Sequence, residues 1–136
     1  MSTSNPGTLI RNPKLRGEWA ELRFMAQAAE RGIMVSKPWG DSAPYDFMAD
    51  HHGRVLRIQV KSTSCRRDYG YKCHVSANGI PYRKDQLDFI ATYLIPPDVW
   101  YILPIAIVCT QTHLLLSPHS KRSKYDRYKE AWRLLL

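Results

Sequence analysis

The chain has 136 residues, with 20 Lys and Arg against 12 Asp and Glu, a formal net charge of +8 and a pI near 9.6. That length suits one domain able to bury its own core, and 44% hydrophobic residues exclude a disordered basic tail. No apolar run reaches the ~20 residues a spanning helix needs. The opening MSTSNPGTLIRNP lacks the apolar stretch of a signal peptide. Cys65, Cys73 and Cys109 have no CxxC spacing, which points to free thiols in a reducing cytoplasm. The basic excess favours an anionic partner, nucleic acid first and an anionic membrane surface second.

Residues 1–13 read as a flexible N-terminus and 14–136 as the domain. From Lys14 to Gly32 the pattern is helical, with Leu15, Trp19, Leu22, Ala26 and Ala29 as the core-facing stripe and Gly32 as the stop. Ile33–Val35 reads as a short buried strand and Lys37–Pro44 as a loop. A hairpin follows, with strands Tyr45–Ala49 and Val55–Lys61 about a turn at Asp50–Gly53. Further strands are expected at Tyr71–Ser76, Leu87–Ile95, Trp100–Leu103 and Leu114–Ser117, with a helical turn at Tyr82–Gln86. Residues 105–109 fit strand or helix equally. Tyr125–Leu135 reads as a terminal helix with Tyr128, Trp132 and Leu135 on one stripe. A helix, a run of strands and a closing helix predict a single α/β (α+β) domain.

The positive charge is clustered. Arg66 and Arg67 form one group, Arg83 and Lys84 a second, and Lys121, Arg122 and Lys124 belong to a third within residues 117–136. Tyr69 and Tyr71 beside Arg66, Arg67 and Lys72 make a basic-aromatic patch suited to a phosphate backbone. The same residues read equally well as solvated faces.

In the second hairpin strand Leu56, Ile58 and Val60 share the core face, while Val55, Arg57, Gln59 and Lys61 share the other. The returning strand places Asp46 opposite Gln59–Lys61, and Glu21 lies on the long helix beside its apolar stripe. Two carboxylates, an amide and a lysine then converge at one sheet edge. The set suits metal-assisted phosphodiester hydrolysis, because Mg²⁺ (or Mn²⁺) takes hard oxygen ligands. Asp46 would anchor the ion, with Glu21, the Gln59 oxygen and the Val60 carbonyl as further ligands. Lys61 would be a point charge for the attacking water or the transition state. Spacing alone leaves bland roles open: Asp46 as a turn cap, Gln59 and Lys61 on a solvent-facing edge strand, Glu21 paired with Lys14 or Arg23. Glu18 is a substitute for Glu21, Asp41 and Ser42 are turn residues, and His51 and His52 fill a solvated turn.

Gly17 and Glu21 on the helix, then Pro44-Tyr45-Asp46, then Gln59-Val60-Lys61, resemble the PD-(D/E)XK nuclease superfamily. The resemblance is strongest to small bacterial PD-(D/E)XK endonuclease domains, a group that includes intron-encoded homing endonucleases. It extends over SKPWGDSAPYDF (36–47), RIQVKST (57–63), DFIATYLIPPDVWYILP (88–104) and YKEAWRLLL (128–136), nearly the whole chain from Lys14. Holliday-junction resolvases are similar at a greater distance. The resemblance implies a restriction-endonuclease-like core, a mixed sheet flanked by helices, and a Mg²⁺-dependent DNA endonuclease. Asp46 matches the motif aspartate, Lys61 the motif lysine and Glu21 the helix glutamate. Gln59 departs from the usual Asp or Glu and removes one negative charge from the metal site, as in a glutamine-bearing subgroup.

The expected partner is double-stranded or branched DNA, and the expected assembly a homodimer or homotetramer, since one site cuts one strand. The expected location is the bacterial cytoplasm, on the nucleoid. A resolvase-like nuclease and an inactive DNA-binding module of the same fold are the alternatives. A domain that only binds RNA or protein through its basic patches is the reading from another class.

Overall fold

A computed structural model describes residues 6–136. After a 3₁₀ turn at Pro6–Leu9, helix α1 runs Pro13–Glu30. Asn12 starts it, its side chain accepting the amides of Lys14 at 2.9 Å and Leu15 at 3.3 Å, with Pro13 in the first turn. Gly32, at φ +77°, ends it. The buried stripe is Ala20, Phe24 and Ala28, with Trp19 and Met25 partly covered. This corrects the expected stripe: Leu15 and Leu22 are 53% and 63% exposed, and Ala26 and Ala29 also face outward. Steps of four suit either row, and the aromatic that fills the sheet surface, Phe24, decides which row turns inward. Residues 6–12 are not loose throughout, since Gly7 lies so close to the Trp19 ring that no Cβ would fit there.

The main sheet has the order β1-β2-β3-β8-β9, formed by β1 (Met34–Ser36), β2 (Phe47–His51), β3 (Arg54–Thr63), β8 (Phe89–Leu94) and β9 (Val99–Pro104). It is mixed: β3 and β8 are parallel, the other pairs antiparallel. The hairpin turn is tighter than expected. Only His52 and Gly53 remain unpaired, at φ 52° and 85°, the backbone that suits a two-residue hairpin. His52 is a turn residue, as expected, whereas His51 ends β2, paired with Arg54. β1 is not buried along its length; Ile33 before it is covered, while Met34 is 75% exposed.

The long connection from β3 to β8 carries β4 (Arg66–Arg67), β5 (Gly70–His74), and a small hairpin of β6 (Ser76–Ala77) and β7 (Ile80–Pro81). Cα partners β10 (His113–Leu116), β5 and β4 form a second sheet. Helix α2 (Ile105–Val108) settles the segment that sequence left open.

Two apolar layers result. Phe24, Phe47, Ile58, Val60, Tyr93 and Trp100 pack between α1 and the main sheet. Tyr71, Cys73, Ile90, Leu94, Tyr101 and Leu116 pack between the two sheets. All of β8 is therefore buried, as a parallel-paired central strand covered on both faces should be. Burial raises the Cys73 thiol to about 12, so it is packing and not chemistry that it serves.

Arg57 and Asp88 hold the β3–β8 register. Asp88 accepts the Arg57 amide at 2.7 Å and its guanidinium at 3.2 Å, and the Asp88 amide donates to the Arg57 carbonyl at 2.9 Å. Burial pushes the Asp88 carboxyl up, but these donors outweigh it and hold the group below its ordinary range.

The expected terminal helix is absent. Two short 3₁₀ turns, Asp126–Tyr128 and Trp132–Leu135, flank Glu130 at φ 50°. Glu130 accepts the Trp100 amide at 2.7 Å and the Trp132 indole at 2.9 Å, and its own amide donates to the Trp100 carbonyl at 2.7 Å. The tail thus closes the open edge of β9 instead of coiling. Tyr128 is only half-buried, while Trp132 and Leu135 join the core. Among the described residues no helix is long and apolar enough to cross a membrane.

Phe24→Ala should cost about 3–5 kcal/mol by opening a cavity, whereas Leu22→Ala should stay within about 0.5 kcal/mol. Urea melts of the two variants check this; equal losses would contradict the corrected stripe.

Candidate active site

β2 stops pairing with β3 at Phe47, opposite Ile58. The chain before it stays attached, because the Asp46 amide donates to the Ile58 carbonyl at 2.8 Å. The Asp46 side chain then takes the next position of the ladder. Its Oδ2 accepts the Val60 amide at 2.8 Å. A strand residue's N–H and C=O leave on the same side, so the Val60 carbonyl also opens toward the gap beyond β2.

Gln59 and Lys61 face away from Ile58 and Val60, as their alternation requires. That face is not free solvent. Lys61 donates from Nζ to the Ser76 carbonyl at 3.2 Å and lies 5.4 Å from the centre of the Tyr82 ring. The motif lysine is thus held by the β6–β7 hairpin, which the sequence reading missed. The signal was present: Asn78-Gly79 is a two-residue hairpin dipeptide, and both residues have positive φ. Gln59, Asp46 and Pro44 line one side of an open cavity of 530 Å³, and Asn78, Ile80, Tyr82 and Arg83 line the other.

Glu21 comes from α1, on the opposite side of the main sheet. Lys37 donates to its Oε1 at 3.1 Å, and not Lys14 or Arg23. Arg23 instead meets Asp98 at 3.0 Å, beside the Tyr93 hydroxyl that the same carboxylate accepts. That clasp ties α1 to the β8–β9 turn and fixes the helix carrying Glu21.

The charges converge on Asp46. Burial pushes its carboxyl above the ordinary 3.8, the Val60 amide opposes this, Glu21 adds to it, and Lys37 and Lys61 oppose it. Asp46 and Gln59 thus share one cavity, and Asp46 feels the charges of Glu21 and Lys61, while Glu21 itself lines a neighbouring pocket with Lys37 and Phe47. Among the described residues no three His, Cys, Asp or Glu side chains gather into a metal-ligating group. Glu21, Asp46, the Gln59 oxygen and the Val60 carbonyl would offer hard oxygens only, which fits a Mg²⁺-class ion that keeps several waters. Glu18 lies on the outer wall with Glu21. Asp41 lines a shallow pocket that reaches Asp46.

The basic residues divide. Arg83 lines the cavity, paired with Asp85 at 3.0 Å, with exposed Lys84 next to it. Arg66 and Arg67 are exposed on β4, and Lys72 is half-buried on β5. Gly70, the partner of Arg67, abuts Leu116 and Ser117, where the segment holding exposed Lys121, Arg122 and Lys124 begins.

A mixed sheet with a carboxylate, an amide and a lysine at the edge of its central strand is the layout of a restriction-endonuclease-like nuclease. A family model for PD-(D/E)XK endonucleases matches residues 11–135, and the chain belongs to that family. The solved structure of a bacterial homing endonuclease, I-Ssp6803I, is similar at 26% identity over 92% of this chain and 93% of that one, with a TM-score of 0.82. The Holliday junction resolvase Hjc of Archaeoglobus fulgidus shares the fold at 17% identity, over 88% of this chain and 95% of that one, with a TM-score of 0.61. Comparison with curated protein sequences gives no significant match.

Because the fold raises the Asp46 pKa, the folded state binds that proton more tightly than the unfolded chain. Stability is therefore lost as pH rises above 3.8 through the raised value, and it stays lower at neutral pH. Asp46→Asn keeps an acceptor for the Val60 amide and removes the charge. Without divalent ions it should melt at or above the wild-type temperature at pH 7, with the advantage gone below about pH 4. A clearly lower melting temperature at pH 7 would contradict the burial argument.

Proposed function

We propose that this endonuclease hydrolyses phosphodiester bonds of double-stranded or branched DNA with a divalent ion, Mg²⁺ or Mn²⁺, held at the β3 edge. The observation that supports this most is the Asp46–Val60 hydrogen bond at 2.8 Å, which brings the motif carboxylate beside Gln59, Val60 and Lys61. Asp46, Glu21, the Gln59 oxygen and the Val60 carbonyl would hold the ion. When bound, it supplies Lewis acidity and a water of lowered pKa.

The chain's own residues do the rest. Lys61 presents a positive charge to the phosphate or the attacking water, and its tether to Ser76 limits where that charge sits. The cavity between Pro44 and the β6–β7 hairpin receives the strand, with Arg83 and Lys84 at its rim. Arg66, Arg67 and Lys72, with Lys121, Arg122 and Lys124, form the surface for flanking phosphates. The likeness to a bacterial homing endonuclease supports DNA as the substrate. Duplex cleavage needs two sites, and a homodimer or homotetramer supplies them. The bacterial cytoplasm, on nucleoid DNA, is the corresponding location.

Plasmid and four-way-junction DNA, incubated with Mg²⁺ or EDTA, tests the reading. Wild type should nick or cut only with the ion, and Asp46→Ala and Lys61→Ala should lose at least about a hundredfold in rate. Equal cutting by all three proteins would sink the assignment, and no cutting on any DNA would favour the inactive module.

The affinity for DNA should fall steeply with salt, and pairwise Ala substitution of Arg66 and Arg67 should flatten that slope by about 2. An unchanged slope in fluorescence-anisotropy titrations would remove those residues from the interface.

A further inference from the structure

We infer that Lys37 is a functional member of the site, the resident counter-cation of Glu21, through which divalent-ion binding is coupled to DNA binding. This rests on the metal-dependent reading above and extends it.

Lys37 directly follows β1 and opens the loop that ends at Asp46. Its Nζ lies 3.1 Å from Glu21 Oε1 and 4.5 Å from the centre of the Phe47 ring. Its charge also acts on Asp46, in the direction that favours the carboxylate. One side of it lines the Glu21 pocket with Met25 and Phe47, and the other lines the pocket that reaches Asp46. Lys37 is therefore bonded to one carboxylate and borders the pocket of the other.

Stability alone does not account for it. The Lys37 side chain is 56% exposed, and an ion pair that wet contributes little. The charge count gives the better reason. Glu21 and Asp46 are offset by Lys37 and Lys61, and Gln59 is neutral, so this set of five side chains carries no net charge. Placing a dication there gives a net of two positive charges unless an anion arrives too. The phosphate of bound DNA is that anion. Ion and DNA then bind with positive coupling, and by linkage each raises the affinity of the other equally. Lys37, freed from Glu21, becomes a mobile donor for the DNA backbone.

Calorimetric titration of the full chain with Mn²⁺, with and without a short duplex at low salt, tests this. Lys37→Met removes the cation and keeps the stem on Phe47, and circular dichroism with a melting curve confirms folding. Lys37→Gln serves as a second variant should the first fail to fold. From Coulomb's law at high dielectric, either variant should bind Mn²⁺ alone roughly three- to tenfold tighter than wild type, and the duplex should improve its affinity less. Equal or weaker Mn²⁺ affinity in the variants, beside measurable wild-type binding, overturns the role of Lys37 and leaves the metal reading standing. Absence of Mn²⁺ binding by wild type, with or without duplex, overturns the metal reading itself. Mn²⁺ binding that survives Asp46→Ala does the same, because it places the ion elsewhere.

Discussion

The Asp46 carboxylate accepts the Val60 amide at 2.8 Å, at the point where β2 has run out and β3 continues. That contact serves two needs. The amide of a central strand has lost its ladder partner and must find another acceptor. A half-buried carboxylate must find a donor or give up its charge. Each group answers the other, and the side chain is fixed against the strand that carries Gln59 and Lys61. Burial still pushes the carboxyl upward, so the fold holds Asp46 at some cost to the free protein. A site that is costly when empty is relieved by a cation.

The remaining architecture secures that one edge from three directions. On one face, Phe24 packs on Phe47 with ring centres 5.5 Å apart, and the Arg23–Asp98 contact pins the same helix, so Glu21 is delivered at a fixed height. On the other, the second sheet and the β6–β7 hairpin take the Lys61 ammonium on the Ser76 carbonyl. Along the sheet, Arg57 and Asp88 lock β3 to β8. The far edge is sealed by Glu130, which leaves the gap beyond β2 as the place where polar backbone meets ligand.

The helix, the hairpin and the central strands were legible because their signals are local: Asn12-Pro13 and Gly32 bound α1, and LDFIATYLI can only be buried. The meeting of Asp46 with Val60 was legible because a hairpin fixes which residues face each other. Three features were not. The inward stripe of α1 was misplaced, because Leu22 and Ala26 repeat at the same step of four as Ala20, Phe24 and Ala28 do. The tail resembled a helix because Glu130's left-handed backbone is set by Trp100, some thirty residues away in sequence. Lys37 opened a loop rich in proline and glycine, and nothing local tied it to Glu21. Non-local hydrogen bonds decide all of these except the stripe, which packing decides.

A metal ion held at the β3 edge would sit against Asp46. A crystal structure of the protein with Mn²⁺ and a duplex carrying a non-hydrolysable phosphate linkage, with anomalous data collected at the manganese edge, tests it most directly. An anomalous peak is expected within coordinating distance of the Asp46 carboxylate and the Val60 carbonyl, beside a DNA phosphate. A peak elsewhere, or none while DNA occupies the cavity, would contradict it.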